Sequence, residues 1–265
     1  MRKLLIFEAR PLKRSVSLLS LNLIVCMIAI LGWGLTSVFS GSGGRTGGEG
    51  ALMSFYNAFA QFTFLVLGVF YAYTFAKDFG RGTYTYYEQV GFGLSCVIGA
   101  RAAVLMAMSA LPIVLIYVVF VVFGGGGSIP LVLFVIMSVM LMVVFVLLLS
   151  ALLAILFKEP LFAVLAIITL FLSFSLVNYF FYGLTNQADT SSLTSFVVGR
   201  MVGLQSADYQ SLSSLKIDWD VWGMPVSLLL SVTWILLVGA VLVDVIKHTR
   251  TTRQIRWRKS RIWEN

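Results

Sequence analysis

The sequence predicts an all-α polytopic membrane protein with six transmembrane helices, an N-terminal interfacial helix and a short cytoplasmic helix between the second and third spans. Its 265 residues are 59% hydrophobic and only 11% charged. An average soluble domain has about 25% charged residues and needs them as a shell around its core. The charged residues also leave five long uncharged runs, at residues 15–44, 50–76, 102–157, 160–188 and 221–243.

The uncharged runs predict the individual spans. About 20 apolar residues, at ~1.5 Å each, cross a ~30 Å hydrocarbon layer, so each run holds at least one helix. The longest run holds two, because four glycines followed by Pro130 favour a turn in its middle. The predicted spans lie near residues 18–39, 54–76, 100–123, 130–157, 160–183 and 222–246.

Lysine and arginine predict the orientation of these spans. Six spans place both termini on one side of the membrane, and sixteen of the nineteen basic residues fall on that side. Only Arg45, Arg200 and Lys216 fall on the other. Basic residues are retained on the cytoplasmic side, so both termini are expected there. The net charge of +8 favours contact with anionic lipid over nucleic acid, because no basic-aromatic module accompanies it.

Residues 1–17 are predicted to form an interfacial helix on the inner leaflet. On a helical wheel the basic residues of this segment fall within an arc of about 120°, although Pro11 should bend the helix. The alternative is an ordinary basic flank of the first span. The basic residues are Arg2, Lys3, Arg10, Lys13 and Arg14.

The segment between the second and third spans is longer than a tight turn requires. Thr85 and Glu88 fit a capping box, which predicts the start of a short helix. Gly91 and Gly93 supply its stop. Tyrosines on this helix suit a protein contact, and the alternative, a tyrosine-rich loop in the headgroup region, is equally supported by composition.

An outer segment of polar composition, residues 184–221, separates the last two spans. Its apolar island, residues 196–204, is too short to span and is expected to dip into the outer leaflet as a re-entrant piece. The glycine-rich residues 41–50 are predicted to be a flexible linker. The chain, residues 1–265, is therefore predicted to be a single transmembrane domain, comprising the interfacial helix, a bundle at 18–246 that includes the outer segment, and a basic cytoplasmic tail at 247–265.

The sequence lacks the motifs of several catalytic classes, so we expect no enzyme, no catalytic residue, and no metal or cofactor bound to this chain. Its one histidine, His248, excludes an H-E-x-x-H site, and no G-x-S-x-G occurs. A Walker A sequence is excluded because no Gly-Lys pair occurs. Transporters driven by ions usually bury charged groups at mid-membrane, which the uncharged runs do not provide.

Several features together resemble a known family. They are the N-terminal segment MRKLLIFEARPLKRS, Asp78, the pair Gly82 and Thr83, the short helix that follows, and Arg101 opening the third span. In this arrangement the chain is similar to the permease subunit of an ATP-binding cassette (ABC) export system, in the small six-helix class without a fused ATPase domain. The resemblance covers nearly the whole chain in topology, through loose motifs.

The resemblance implies a dimer of permease subunits, identical or paralogous, in a bacterial plasma membrane. Two cytoplasmic ATPase subunits, which bind ATP and Mg, would dock on the N-terminal elbow and the short helix, which becomes a coupling helix. The implied cargo is amphiphilic: an antimicrobial peptide, a lipid or a drug. The residues assigned to ATPase coupling are Asp78, Gly82, Thr83, Tyr84, Tyr86, Tyr87, Glu88 and Arg101.

Polar and aromatic residues of the second and fifth spans would suit an apolar cargo pathway: Phe55, Phe59, Phe62, Phe174 and Asn178. Aromatic residues that merely pack or face lipid explain them at least as well. Two other functional classes stay open for the chain as a whole. One is an ATP-independent channel or secondary transporter, and the other is a membrane immunity or scaffold protein that does not transport.

Overall fold

A computed structural model of the chain describes residues 48–124, 129–180, 193–201 and 218–263. Within these ranges every regular element is an α-helix, which confirms the all-α fold class for this part of the chain. The helices are α1 (Gly48–Gly80), α2 (Thr83–Gln89), α3 (Leu94–Gly124), α4 (Ile129–Phe157), α5 (Pro160–Phe180), α6 (Leu193–Met201) and α7 (Trp219–Trp263).

Four of the described helices are long and apolar enough to cross a membrane. The stretches are Leu94–Val118 in α3, Ile129–Phe157 in α4, Pro160–Val177 in α5 and Asp220–Thr249 in α7. They correspond to the third to sixth predicted spans and are compatible with a multi-pass membrane protein. The second predicted span lies within α1, and its crossing of the membrane stays a prediction. The first span and the interfacial helix lie outside the described residues.

Three helix boundaries differ from those predicted. Helix α1 starts at Gly48, so the last residues of the predicted flexible linker are helical. Helix α3 starts at Leu94 instead of near residue 100, because the carbonyl of Gly93 already accepts the N–H groups of Cys96 and Val97, at 2.9 and 3.2 Å. Helix α7 continues to Trp263. The predicted basic tail is therefore helical over most of its length.

Helix α4 lies at the centre of the bundle. It packs against α1, α3, α5 and α7, and most of its side chains from Leu131 to Ile155 are buried. Aromatic rings fill the space where α1, α4, α5 and α7 meet, with centroids 5.5 to 6.5 Å apart. Such contacts add to stability beyond simple burial. The rings belong to Phe64, Phe145, Phe171, Phe174 and Trp234.

Helices α1, α4 and α5 pack closely together at Gly68. A Cβ added there would lie 2.9 Å from Cγ2 of Ile167 and 3.3 Å from Cγ1 of Val146. The hydroxyl of Ser150 donates a hydrogen bond to the Gly68 carbonyl at 3.2 Å. Small residues allow membrane helices to pack tightly where no hydrophobic force distinguishes protein from lipid, so this crossing sets the distance between the three helices.

Helix α6 packs against the first turns of α7 at one end of the bundle. The hydroxyls of Thr194 and Ser227 are 2.7 Å apart, and a Cβ at Gly223 would lie 3.0 Å from Val197. At the exposed surface, Nε of Arg200 donates to Asp220 at 2.6 Å and its Nη2 donates at 3.1 Å. Six of the nine residues of the predicted apolar island, 196–201, thus belong to a packed helix. Its re-entry into the membrane stays a prediction.

The opposite end of the bundle carries α2. Lys158 and Glu159 alone join α4 to α5 there. A Cβ added at Gly80, the last residue of α1, would lie 3.8 Å from the carbonyl oxygen of Lys158. The end of α1, the α4–α5 turn and the short helix α2 therefore lie at one end of the bundle, which we call the α2 end.

Candidate functional site

Helix α2 begins at a glycine. Gly82 has φ +71° and ψ 11°, in the left-handed region that favours glycine, and its carbonyl accepts the N–H of Tyr86 at 3.1 Å. No side chain caps this helix among the described residues. The predicted capping box of Thr85 and Glu88 is therefore wrong, because the backbone turn at Gly82 directs the chain into the helix before Thr85 is reached.

The end of α2 is a Schellman motif, a helix stop built on a left-handed residue. Gly91 has φ +93°, its N–H donates to the carbonyl of Glu88 at 3.1 Å, and the N–H of Phe92 donates to the carbonyl of Tyr87 at 2.9 Å. The rings of Tyr87 and Phe92 also meet, 6.5 Å apart. The predicted stop at Gly91 is confirmed, whereas Gly93 opens α3.

We expect Gly91→Ala to lower the free energy of unfolding by about 1–2 kcal/mol, the cost of placing a Cβ in the left-handed region. No described atom lies within 4 Å of a Cβ at Gly91 or at Gly93, so the loss is purely conformational. Gly93→Ala is the matched control and is expected to change stability little. Unfolding in mixed micelles of mild detergent and SDS measures both, and equal losses would contradict the assignment.

Asp78 and Arg101 form a partly buried ion pair between α1 and α3, with 16% and 9% of their side chains exposed. The Arg101 guanidinium also lies 6.0 Å from the centre of the Tyr84 ring, and that ring lies 4.2 Å from the ring of Phe79. We call these four residues the clasp. The clasp joins α1, α2 and α3. Two of the three charged residues that the family resemblance assigned to ATPase contact, Asp78 and Arg101, therefore bind each other.

The three tyrosines of α2 do not share one face. Tyr84 and Tyr87 are buried, with 2% and 7% exposed, whereas Tyr86 is 62% exposed. Of the three tyrosines assigned to ATPase coupling, only Tyr86 is exposed. Tyr84 and Tyr87 are three residues apart and so lie on one side of the helix, and Tyr86 lies between them in sequence and faces away. Tyr84 and Tyr87 hold α2 against the bundle.

The exposed side of α2 is a stripe of four residues: Thr85, Tyr86, Gln89 and Val90, all of them exposed. Tyr86 and Val90, which is 56% exposed, lie four residues apart and are neighbours on the surface. Of these four residues only Tyr86 was among those predicted for coupling; Gln89 and Val90 were missing, and Thr85 was predicted only as part of the capping box. The four-residue spacing from Thr85 and Tyr86 is the signal that would have found them.

The remaining residues predicted for coupling occupy backbone and half-buried positions. Gly82 supplies the turn before α2, and Thr83 is the first residue of that helix. Thr83 and Glu88 are half-buried, and the Glu88 carbonyl takes part in the helix stop. The role of Glu88 as a charge partner stays a prediction.

Of the residues predicted for the cargo pathway, only Phe174 has a side chain that the structure describes. Phe174 packs in the aromatic cluster of the bundle, against Phe64, Phe145 and Trp234. This contact supports the packing alternative for that residue. The side chains of Phe55, Phe59, Phe62 and Asn178 lie outside the described residues, as do the basic residues of the N-terminal elbow.

The turn at Gly82, the helix stop at Gly91 and the buried Tyr84 and Tyr87 thus fix α2 on the bundle and leave one stripe facing outward. Among the described residues no three His, Cys, Asp or Glu side chains gather as metal ligands. Comparisons of the chain with family models, with curated proteins and with solved structures give no match.

Proposed function

We propose that the chain is the permease subunit of an ABC export system, which moves an amphiphilic cargo with energy from a separate ATPase subunit. The observation that carries this proposal is α2: a short helix at one end of a helical bundle, held by buried contacts on one side and exposed on the other. The family resemblance of this segment supports the same function.

The exposed stripe of α2 suits a protein contact. Tyr86 and Val90 form an apolar centre, and Thr85 and Gln89 add polar groups beside it, which is the usual arrangement of a protein interface. The partner would be a cytoplasmic ATPase subunit that presents an apolar groove. Because the clasp ties α2 to α1 and α3, a force on the stripe would reach both of these helices.

The energy source follows from the chemistry of the chain. The sequence contains no Walker A motif, so ATP and Mg would bind to the ATPase subunit. The charged residue in the first turns of α3, Arg101, is neutralised by Asp78 and is thereby unsuited to an ion relay. A second permease subunit, identical or paralogous, would complete the pathway in the bacterial plasma membrane, with both termini of this chain in the cytoplasm.

The test co-expresses the chain with an ABC ATPase subunit encoded in an adjacent reading frame. We expect the two to co-purify, and Tyr86→Ala to weaken binding about 30-fold, the effect of losing a tyrosine hot spot of about 2 kcal/mol. Trp222→Ala is the control, because Trp222 is similarly exposed but lies at the α6 end. Titration of the purified partners measures both affinities.

Two results would count against the proposal. If Tyr86→Ala binds the ATPase subunit as well as the wild type does, α2 is an ordinary connection. If the purified chain moves cargo in liposomes under an ion gradient without ATP, the channel or secondary-transporter alternative is correct. The membrane immunity or scaffold alternative predicts neither ATPase binding nor transport.

A further inference from the structure

Three basic residues lie at the α2 end, on backbone segments that are close to one another: Lys77, Arg81 and Lys158. Lys77 and Arg81 lie one helical turn apart, since the N–H of Arg81 donates to the carbonyl of Lys77 at 3.1 Å. A Cβ added at Gly80, the residue before Arg81, would lie 3.8 Å from the carbonyl oxygen of Lys158. We call these three residues the basic corner.

The basic corner carries more positive than negative charge. The ion pairs of Arg101 with Asp78 and of Arg200 with Asp220 do not involve the corner. Asp78, the acidic residue next to Lys77, is occupied by Arg101. Glu159, exposed beside Lys158, can offset only one of the three positive charges. Positive charge therefore remains in excess.

The position of the corner relative to the membrane follows from the helices that it joins. Lys158 and Glu159 connect two helices that are each long and apolar enough to cross a membrane, so a two-residue turn between them lies at the membrane surface. Exposed apolar side chains continue from this turn along both helices. They belong to Leu156, Phe157, Leu161 and Phe162.

The backbone at Lys158 gives an independent indication. Its φ is +59°, a left-handed conformation that glycine adopts at helix ends with less strain. The chain nevertheless carries a lysine there. Lysine at this position therefore carries a backbone cost that glycine would avoid.

We propose that the basic corner binds the phosphate of an anionic phospholipid headgroup, with the acyl chains lying along the exposed apolar side chains below it. The arginine fork suits two phosphate oxygens, and the lysines act as point charges. Lys77 also lies 5.5 Å from the ring centre of the exposed Tyr73, an aromatic residue typical of the headgroup region. This site does not depend on the proposed transport function.

The test uses the full chain in neutral detergent micelles, titrated with phosphatidylglycerol, phosphatidylcholine of the same acyl chains, or inorganic phosphate. Thermal unfolding and native mass spectrometry measure binding. Of these three ligands, we expect only phosphatidylglycerol to bind tightly. The triple variant Lys77→Gln, Arg81→Gln, Lys158→Gln should bind it about 100-fold more weakly.

The matched control removes three charges elsewhere on the chain, by Arg253→Gln, Arg256→Gln and Lys259→Gln in the continuation of α7. It should bind phosphatidylglycerol as the wild type does. Equal weakening in both triple variants would overturn the site in favour of general charge attraction. Equal stabilisation by phosphatidylcholine would overturn the headgroup assignment, and equal stabilisation by inorganic phosphate would overturn the lipid as the source.

A single variant separates binding from folding. Lys158→Gly removes one charge and relieves the left-handed backbone, so the protein without lipid should unfold at a higher temperature than the wild type. Its affinity for phosphatidylglycerol should nevertheless fall about fivefold. Unchanged affinity in this variant would contradict the role of Lys158.

Discussion

Arg101→Met is expected to lower the free energy of unfolding by about 3 kcal/mol, because it leaves the Asp78 carboxylate partly buried without its partner. Methionine keeps the unbranched apolar stem of the side chain and introduces no new polar group. It also removes the guanidinium beside the Tyr84 ring. The loss should appear as easier unfolding in mixed micelles of mild detergent and SDS.

The double variant Asp78→Leu, Arg101→Met distinguishes charge from packing. Replacing both members of a buried ion pair by apolar residues is often neutral, so the double variant should recover most of the lost stability. Asp78→Leu alone should cost as much as Arg101→Met. If the two single losses simply add in the double variant, the residues are not coupled and the clasp does not hold α1 against α3.

Gly68→Leu is expected to destabilise the protein by about 3 kcal/mol, at the upper end for overpacking a tight core. Its Cβ would meet Cγ2 of Ile167 at 2.9 Å, and a branched side chain has no free direction between α4 and α5. The shift would also disturb the hydrogen bond from Ser150 to the Gly68 carbonyl. The same unfolding measurement in mixed micelles reports the loss.

Gly99→Leu is the matched control for Gly68→Leu. Gly99 lies in α3, is exposed, and meets no described atom within 4 Å of an added Cβ. Both substitutions improve helix propensity to a similar extent, so their difference isolates the clash. Similar stability of the two variants would show that the crossing at Gly68 is loose.

The clasp and the stripe show which parts of the site were accessible to prediction. The apolar runs predicted two long helices with a connecting segment between them, and Gly91 predicted where the short helix in that segment stops. Local backbone preferences set where a helix stops. The capping box at Thr85 failed because Gly82 offered an earlier turn, and positive φ at that glycine follows from how the chain leaves α1. Because the helix starts at Thr83 and not at Thr85, Tyr84 is buried and Tyr86 is exposed.

The sequence by itself determined that the chain is helical and suited to a membrane, since uncharged runs of this length can satisfy their backbone groups in lipid only as helices. It also determined the C-terminal end of α4 at Phe157, because charge resumes at Lys158. Only the tertiary structure decided that Asp78 meets Arg101, that Gly68 lies at a tight crossing of α1, α4 and α5, and that Lys158 lies beside the end of α1. These contacts join residues distant along the chain, and side-chain packing among several helices selects them.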